Sequence, residues 1–60
     1  MNQQEMLRLG DVVQVVGPAD LYVNHVGEVV ELHQLDMVVV RFCHGVSNIY
    51  SQELLKRWPA

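Results

Sequence analysis

Three valine-rich segments separated by glycine-bearing turns constrain this chain more than any other feature. They occupy residues 11–16, 28–32 and 37–42 of a chain of 60 residues. Valine is branched at Cβ, and such residues favour extended strands over helices. Short strands at this spacing, with turn signals between them, are typical of a small all-β barrel. A chain of this length forms one domain with a modest core.

Turn residues divide the chain into five predicted strands. The first ends at Gly17-Pro18, after which a long loop extends to Val26. Ser51 is predicted to begin a helical turn, because its side-chain oxygen is able to cap an unpaired amide. This order predicts a five-stranded SH3-like barrel over residues 7–60, with residues 1–6 as a mobile tail. The predicted strands are 12–16, 28–32, 37–42, 46–50 and 54–58.

Alternation within the strands predicts which side chains face the core. Leu9 is expected to point inward with the first strand. Glu28 and Glu31 lie three residues apart, which predicts opposite faces of a strand unless a bulge intervenes. Gly27 is expected to occupy a backbone position where a side chain would be hindered. The remaining predicted core residues are Val13, Val15, Val29, Val38, Val40 and Phe42.

Charge and cysteine content limit the possible partners and compartments. Seven acidic and four basic residues give a net charge of −3, and only Lys56 and Arg57 are adjacent cations, so nucleic acid is not expected as a partner. The single cysteine, Cys43, excludes an internal disulfide and indicates a reducing compartment. No stretch approaches the roughly 20 apolar residues of a membrane span. We therefore expect a cytoplasmic protein without membrane insertion.

Several blocks resemble known SH3-like proteins. The stretch from Gly10 to Val29 resembles the KOW-type pattern, in which a strand, a loop and a glycine-led strand follow one another. Blocks 15–18, 22–29 and 38–42 more closely resemble the small stromal SH3-like protein of photosystem I, and more loosely the ferredoxin-docking SH3-like protein of the photosynthetic NDH complex. The resemblance implies a photosynthetic setting, with the chloroplast stroma as the equivalent of the cytoplasmic compartment.

The chain also departs from these families. The photosystem I protein has a long loop between its third and fourth strands, where this chain has only Cys43-His44-Gly45. Docking of acidic ferredoxin implies a basic surface, whereas this chain is acidic, so repulsion argues against that role. Residues 46–50 are similar to the pore-lining motif of type II dihydrofolate reductases, with Asn48 in place of glutamine and no evident matching lysine.

Catalytic and metal sites have little support in the sequence. A metal site would require His25 to converge with the turn containing Cys43 and His44 at one end of the barrel, but adjacent Cys and His project to opposite faces of a strand. The alternative is that the two histidines are turn residues and that Cys43 is a small apolar residue at a strand end. We expect no cofactor and no metal, and a reductase pore would require four chains.

Apolar residues left over on outward positions indicate the function. A contiguous apolar patch marks an interface, and aromatic side chains often anchor a partner there. We therefore expect a protein-interaction module that binds a protein partner or a second copy, with a KOW-type nucleic-acid module and a tetrameric reductase as alternatives. Leu35 and Met37 are further outward candidates, and Trp58 has the alternative of closing the core. The expected partner-binding residues are Val12, Val16, Tyr22, Val30, Val39, Tyr50 and Trp58.

Overall fold

A computed structural model of the chain describes residues 6–34 and 36–59. Over these residues the protein is all-β, with five strands and a 3-10 turn before the last strand, as the sequence predicts. Residues 1–5 of the expected tail, and Leu35, lie outside the described residues. The elements are β1 (Val12–Val15), β2 (Val26–Leu32), β3 (Met37–Phe42), β4 (Ser47–Ser51), the 3-10 helix (Gln52–Leu54) and β5 (Leu55–Arg57).

The five strands form one antiparallel sheet in the order β4-β3-β2-β1-β5. Each strand pairs with its neighbours in that order, so β4 and β5 are the two edges, and the sheet of the described residues is not closed. The 3-10 helix is three residues long, and no helix in the described part of the chain is long and apolar enough to cross a membrane.

The core lies on one face of the sheet. All six residues predicted by alternation are buried there, at 2% exposure or less. The sequence did not predict three further members of the core, which are Leu7, Tyr50 and Leu55.

The prediction that Leu9 points inward is wrong. This side chain is 62% exposed, and Leu7 is buried instead. A turn reverses the chain just before β1. The N–H of Asp11 donates to the carbonyl of Arg8 (3.1 Å), and Gly10 has a φ of +90°. Alternation therefore does not continue from β1 back through Leu9.

A bulge at Val30 interrupts β2. Val29 pairs with Val40 and Glu31 pairs with Val39, so Val30 is the extra residue. Glu28 pairs with Arg41, which lies on the same side of β3 as Val39. The bulge thus brings Glu28 and Glu31 to the same side of the sheet. Their spacing of three residues predicts opposite sides unless a bulge intervenes, and here one does.

Gly27 allows β2 and β3 to approach closely. It pairs with Phe42, and a Cβ at this position would lie 2.6 Å from Cγ1 of Val40 and 2.8 Å from the carbonyl oxygen of Arg41. A side chain at this buried position would therefore clash with atoms of β3, as expected from the sequence.

The expected capping role of Ser51 is wrong. Its side chain makes no cap hydrogen bond to the 3-10 helix. The hydroxyl donates instead to Oδ2 of Asp36 at 3.2 Å, because the side chain projects from the sheet toward the turn between β2 and β3.

Candidate interaction surface

The side of the sheet opposite the core carries exposed hydrophobic residues, and we call it the outer face. Val12 is 43% exposed, Val30 is 42% exposed and Ile49 is 50% exposed, while Val39 is half-buried. Trp58 is 46% exposed, and its N–H donates to the carbonyl of Val12 (2.9 Å), which extends the β1–β5 ladder by one residue. The outer-face apolar residues are Val12, Val30, Val39, Ile49 and Trp58.

The pairing of the strands arranges these residues in neighbouring rows. Val39 pairs with Ile49 across β3 and β4. The adjacent row contains Glu28, which pairs with Val12 on one side and with Arg41 on the other. A carboxylate and a guanidinium therefore lie among the apolar side chains of the outer face, and such a mixed surface is typical of protein interfaces.

Val16 does not extend this patch directly. It is 39% exposed and lies beyond the end of β1, where its N–H donates to the carbonyl of Leu54 at 2.8 Å. The polar Gln14 separates it from Val12 on the same side of the strand.

A second group of side chains lies at one end of the sheet, and we call it the aromatic cluster: Tyr22, His25, Phe42 and His44. The rings of Tyr22 and Phe42 stack with centroids 5.1 Å apart. The rings of His25 and His44 lie 5.9 Å from each other and edge-on, and both histidines contact Tyr22 and Phe42. His25 thus meets His44 at this end of the sheet, which is part of the convergence that a metal site would require.

Tyr50, which we expected among the surface anchors, is instead buried at 3% exposure. Its ring meets Phe42 edge-on at 6.3 Å, and its hydroxyl donates to Oδ1 of Asp20 at 3.1 Å. Burial raises the pKa of the Tyr50 phenol, and the nearby Asp20 carboxylate raises it further, against the opposite effect of Asn48. The residue faces the core because it pairs with Val38, whose side chain also points inward.

The remaining chemistry-bearing residues do not assemble with the histidine pair. Cys43 is exposed and lines a shallow groove with Val26, Glu28, Val30 and Arg41. Nε2 of His33 lies 3.3 Å from Glu31. Among residues 6–34 and 36–59, no group of three or more His, Cys, Asp or Glu side chains is placed to hold a metal ion.

Sequence reasoning missed Ile49 as an outer-face residue, because the resemblance to the reductase motif groups it with Asn48 and Tyr50 as a pore lining. In the structure Ile49 projects from one side of β4, and Asn48 and Tyr50 project from the other. The alternation of β4 was the signal available, because placing Tyr50 in the core places Ile49 outside.

No protein-family model matches the chain, and no curated protein and no solved structure matches it. The resemblance to KOW-type proteins and to the stromal SH3-like protein of photosystem I therefore stays a prediction.

Proposed function

We propose that this protein is a non-catalytic protein-interaction module with an SH3-like barrel architecture, which serves as a small subunit or regulatory adaptor of a larger complex. The outer face is the surface that contacts the partner. The single observation that carries the proposal is the set of exposed large hydrophobic residues on that face.

The cost of exposing these side chains supports the proposal. Burial of apolar surface contributes about 25 cal/mol per Å², so a partner that covers the outer face gains from each of these residues. Trp58 and Arg41 are of the residue types that most often dominate binding energy. The strand order and the 3-10 turn before β5 agree with the architecture proposed.

The aromatic cluster, at one end of the sheet, adds a smaller contact area. Tyr22 is half-buried against Phe42, and His25 and His44 are exposed around it. We assign the cluster a supporting role, because most of the ring surface of Tyr22 and Phe42 is used within the protein. A photosynthetic complex is the assembly that the sequence resemblance favours.

The arrangement of the cations gives the nucleic-acid alternative less support. The guanidinium of Arg57 lies 3.2 Å from Asp11, and Arg41 pairs across the strands with Glu28. One of the four basic residues thus has a carboxylate in contact, and a second has an acidic residue as its cross-strand partner, whereas phosphate binding needs clustered cations.

Affinity purification from the organism of origin tests the proposal. Tagged wild-type protein is compared with Val30→Lys on the outer face and with a matched control, Leu21→Lys, in the long loop. Leu21 is 83% exposed, so both substitutions add one charge at an exposed apolar position. We expect one stoichiometric partner with the wild type and the control, and its loss with Val30→Lys. Identical co-purified proteins from all three, with circular dichroism showing them folded, would contradict the proposal.

A further inference from the structure

The two edges of the sheet differ in how they are protected from pairing with another strand. β5 carries Lys56 and Arg57, and Pro59 follows it closely. Charged residues and proline are the usual means of blocking an edge. β4 has the sequence Ser-Asn-Ile-Tyr-Ser, with no charge and no proline. Its regular pairing with β3 shows no bulge.

The hydrogen bonds of β4 show which of its backbone groups are available. The N–H of Phe42 donates to Val46 and the N–H of Gln52 donates to Asp36, each at 2.9 Å. Because hydrogen-bonded pairs alternate in an antiparallel ladder, Asn48 and Tyr50 also bond to β3. The N–H and C=O groups of Ser47 and Ile49, and the N–H of Ser51, are directed away from β3.

We propose that a second copy of this chain pairs with the free edge of β4, so that two sheets join about a two-fold axis at Ile49. In this antiparallel register Ile49 lies opposite Ile49 of the second copy, and Ser47 lies opposite Ser51. The outward backbone groups of one β4 then bond to those of the other.

The strand itself favours a second copy over an unrelated partner. Serine stands two residues before and two residues after Ile49, so the two-fold register pairs serine with serine at both ends. An uncharged strand pairs with itself without like-charge repulsion, which opposite positions in a sheet otherwise penalise. On the outer face, Ile49 adjoins Val39, and the dimer extends this apolar row across the axis.

The same arrangement explains why association ends at two copies. A two-fold interface uses the same surface of both subunits and is therefore closed. The edges left over in the dimer are the two β5 strands, which Lys56 and Arg57 protect. The outer-face residues Val12, Val30 and Trp58 lie on β1, β2 and beyond β5, so they stay available for the partner of the proposed function.

Sedimentation equilibrium of the purified protein at concentrations up to about 1 mM tests the inference. We expect a dimer for the wild type and monomers for Ile49→Lys and Ile49→Glu, because each variant places like charges on the axis. Mixing the two variants is expected to restore a dimer, since only an Ile49-to-Ile49 register brings the lysine opposite the glutamate. Circular dichroism verifies that each variant is folded.

Four outcomes would overturn the inference: a monomeric wild type, a dimer that persists in Ile49→Lys, no dimer in the mixture, or a monomeric Val30→Lys. Ile49→Thr is the matched control, since it is uncharged, retains the N–H and is expected to weaken the dimer without abolishing it. Val30→Lys separates this interface from the proposed partner surface. It is expected to remain dimeric, and a monomeric Val30→Lys would place self-association on the outer face instead.

Discussion

The phenol of Tyr50 donates a hydrogen bond of 3.1 Å to Oδ1 of Asp20, thirty residues earlier in the chain. The same oxygen accepts the backbone N–H of Tyr22 at 2.8 Å. One carboxylate therefore shapes the turn within the long loop and ties that loop to β4. Because Tyr22 stacks on Phe42, Asp20 also positions the aromatic cluster.

Tyr50→Phe is expected to lower the free energy of unfolding by about 1.5–3 kcal/mol, because hydrogen bonds to charged groups contribute that much to stability. Urea denaturation followed by circular dichroism measures the change. Asp20→Ala is expected to cost at least as much, since it removes both hydrogen bonds. Asp20→Asn retains an acceptor oxygen and should cost less than Asp20→Ala. Equal stability of Tyr50→Phe and wild type would contradict the assigned role of Asp20.

Alkaline pH is expected to destabilise the fold through Tyr50. Its phenol has a raised pKa in the folded state, chiefly because of burial, so the folded protein holds this proton more tightly than the unfolded chain does. The stabilisation is complete below the ordinary phenol pKa of 10.0 and is lost as the pH rises through the raised folded pKa. Urea unfolding between about pH 8 and pH 11 should show the decline, and a smaller one in Tyr50→Phe. If the free energy of unfolding fell equally with pH in the wild type and in Tyr50→Phe, the prediction would be refuted.

Gly27→Ala is expected to destabilise the protein by about 1–3 kcal/mol through overpacking. The added methyl would lie 2.6 Å from Cγ1 of Val40 and 2.8 Å from the carbonyl oxygen of Arg41, and a backbone atom within a sheet cannot move without disturbing the strand pairing. Gly10→Ala is the contrasting variant, because no atom lies within 4 Å of its Cβ position and its cost comes only from a φ of +90°. Thermal unfolding of both variants checks the prediction, and a Gly27→Ala protein as stable as the wild type would mean that the two strands separate freely.

Val29 and Val30 are adjacent in the chain and are expected to differ sharply in their contribution to stability. Val29 is 1% exposed, and Val29→Ala should cost about 2–3 kcal/mol through lost burial and the cavity left behind. Val30 is 42% exposed at the bulge, and Val30→Ala should change stability by no more than about 0.5 kcal/mol. Equal losses measured by urea denaturation would show that the bulge does not turn Val30 outward.

Much of the fold could be predicted because period-two alternation is a local property of each strand. Val38, Val40 and Phe42 could be assigned to the core from the residues around them. Leu9 could not, because the turn closed by Arg8 and Asp11 breaks the alternation before β1. The position of the bulge at Val30 depends on how β2 pairs with β3, and no residue type within β2 indicates it.

The candidate site could be predicted less completely, because a surface is assembled from several strands. The exposure of Val12 and Val30 could be predicted because the chain has more apolar residues than a small core can cover, whereas the sequence left open whether Trp58 is exposed or closes the core. The inward orientation of Tyr50 did not, because it depends on pairing with Val38 and on the carboxylate of Asp20.

The sequence by itself determined that the protein is built from five short strands, and that alternating valines divide between a core and an outer face. Tertiary structure decided that Tyr50 turns inward, that His25 and His44 meet, and that β4 and β5 form the two edges. The physical reason is that side-chain alternation depends on backbone geometry within one strand, whereas ring contacts, register and exposed edges depend on which strands become neighbours.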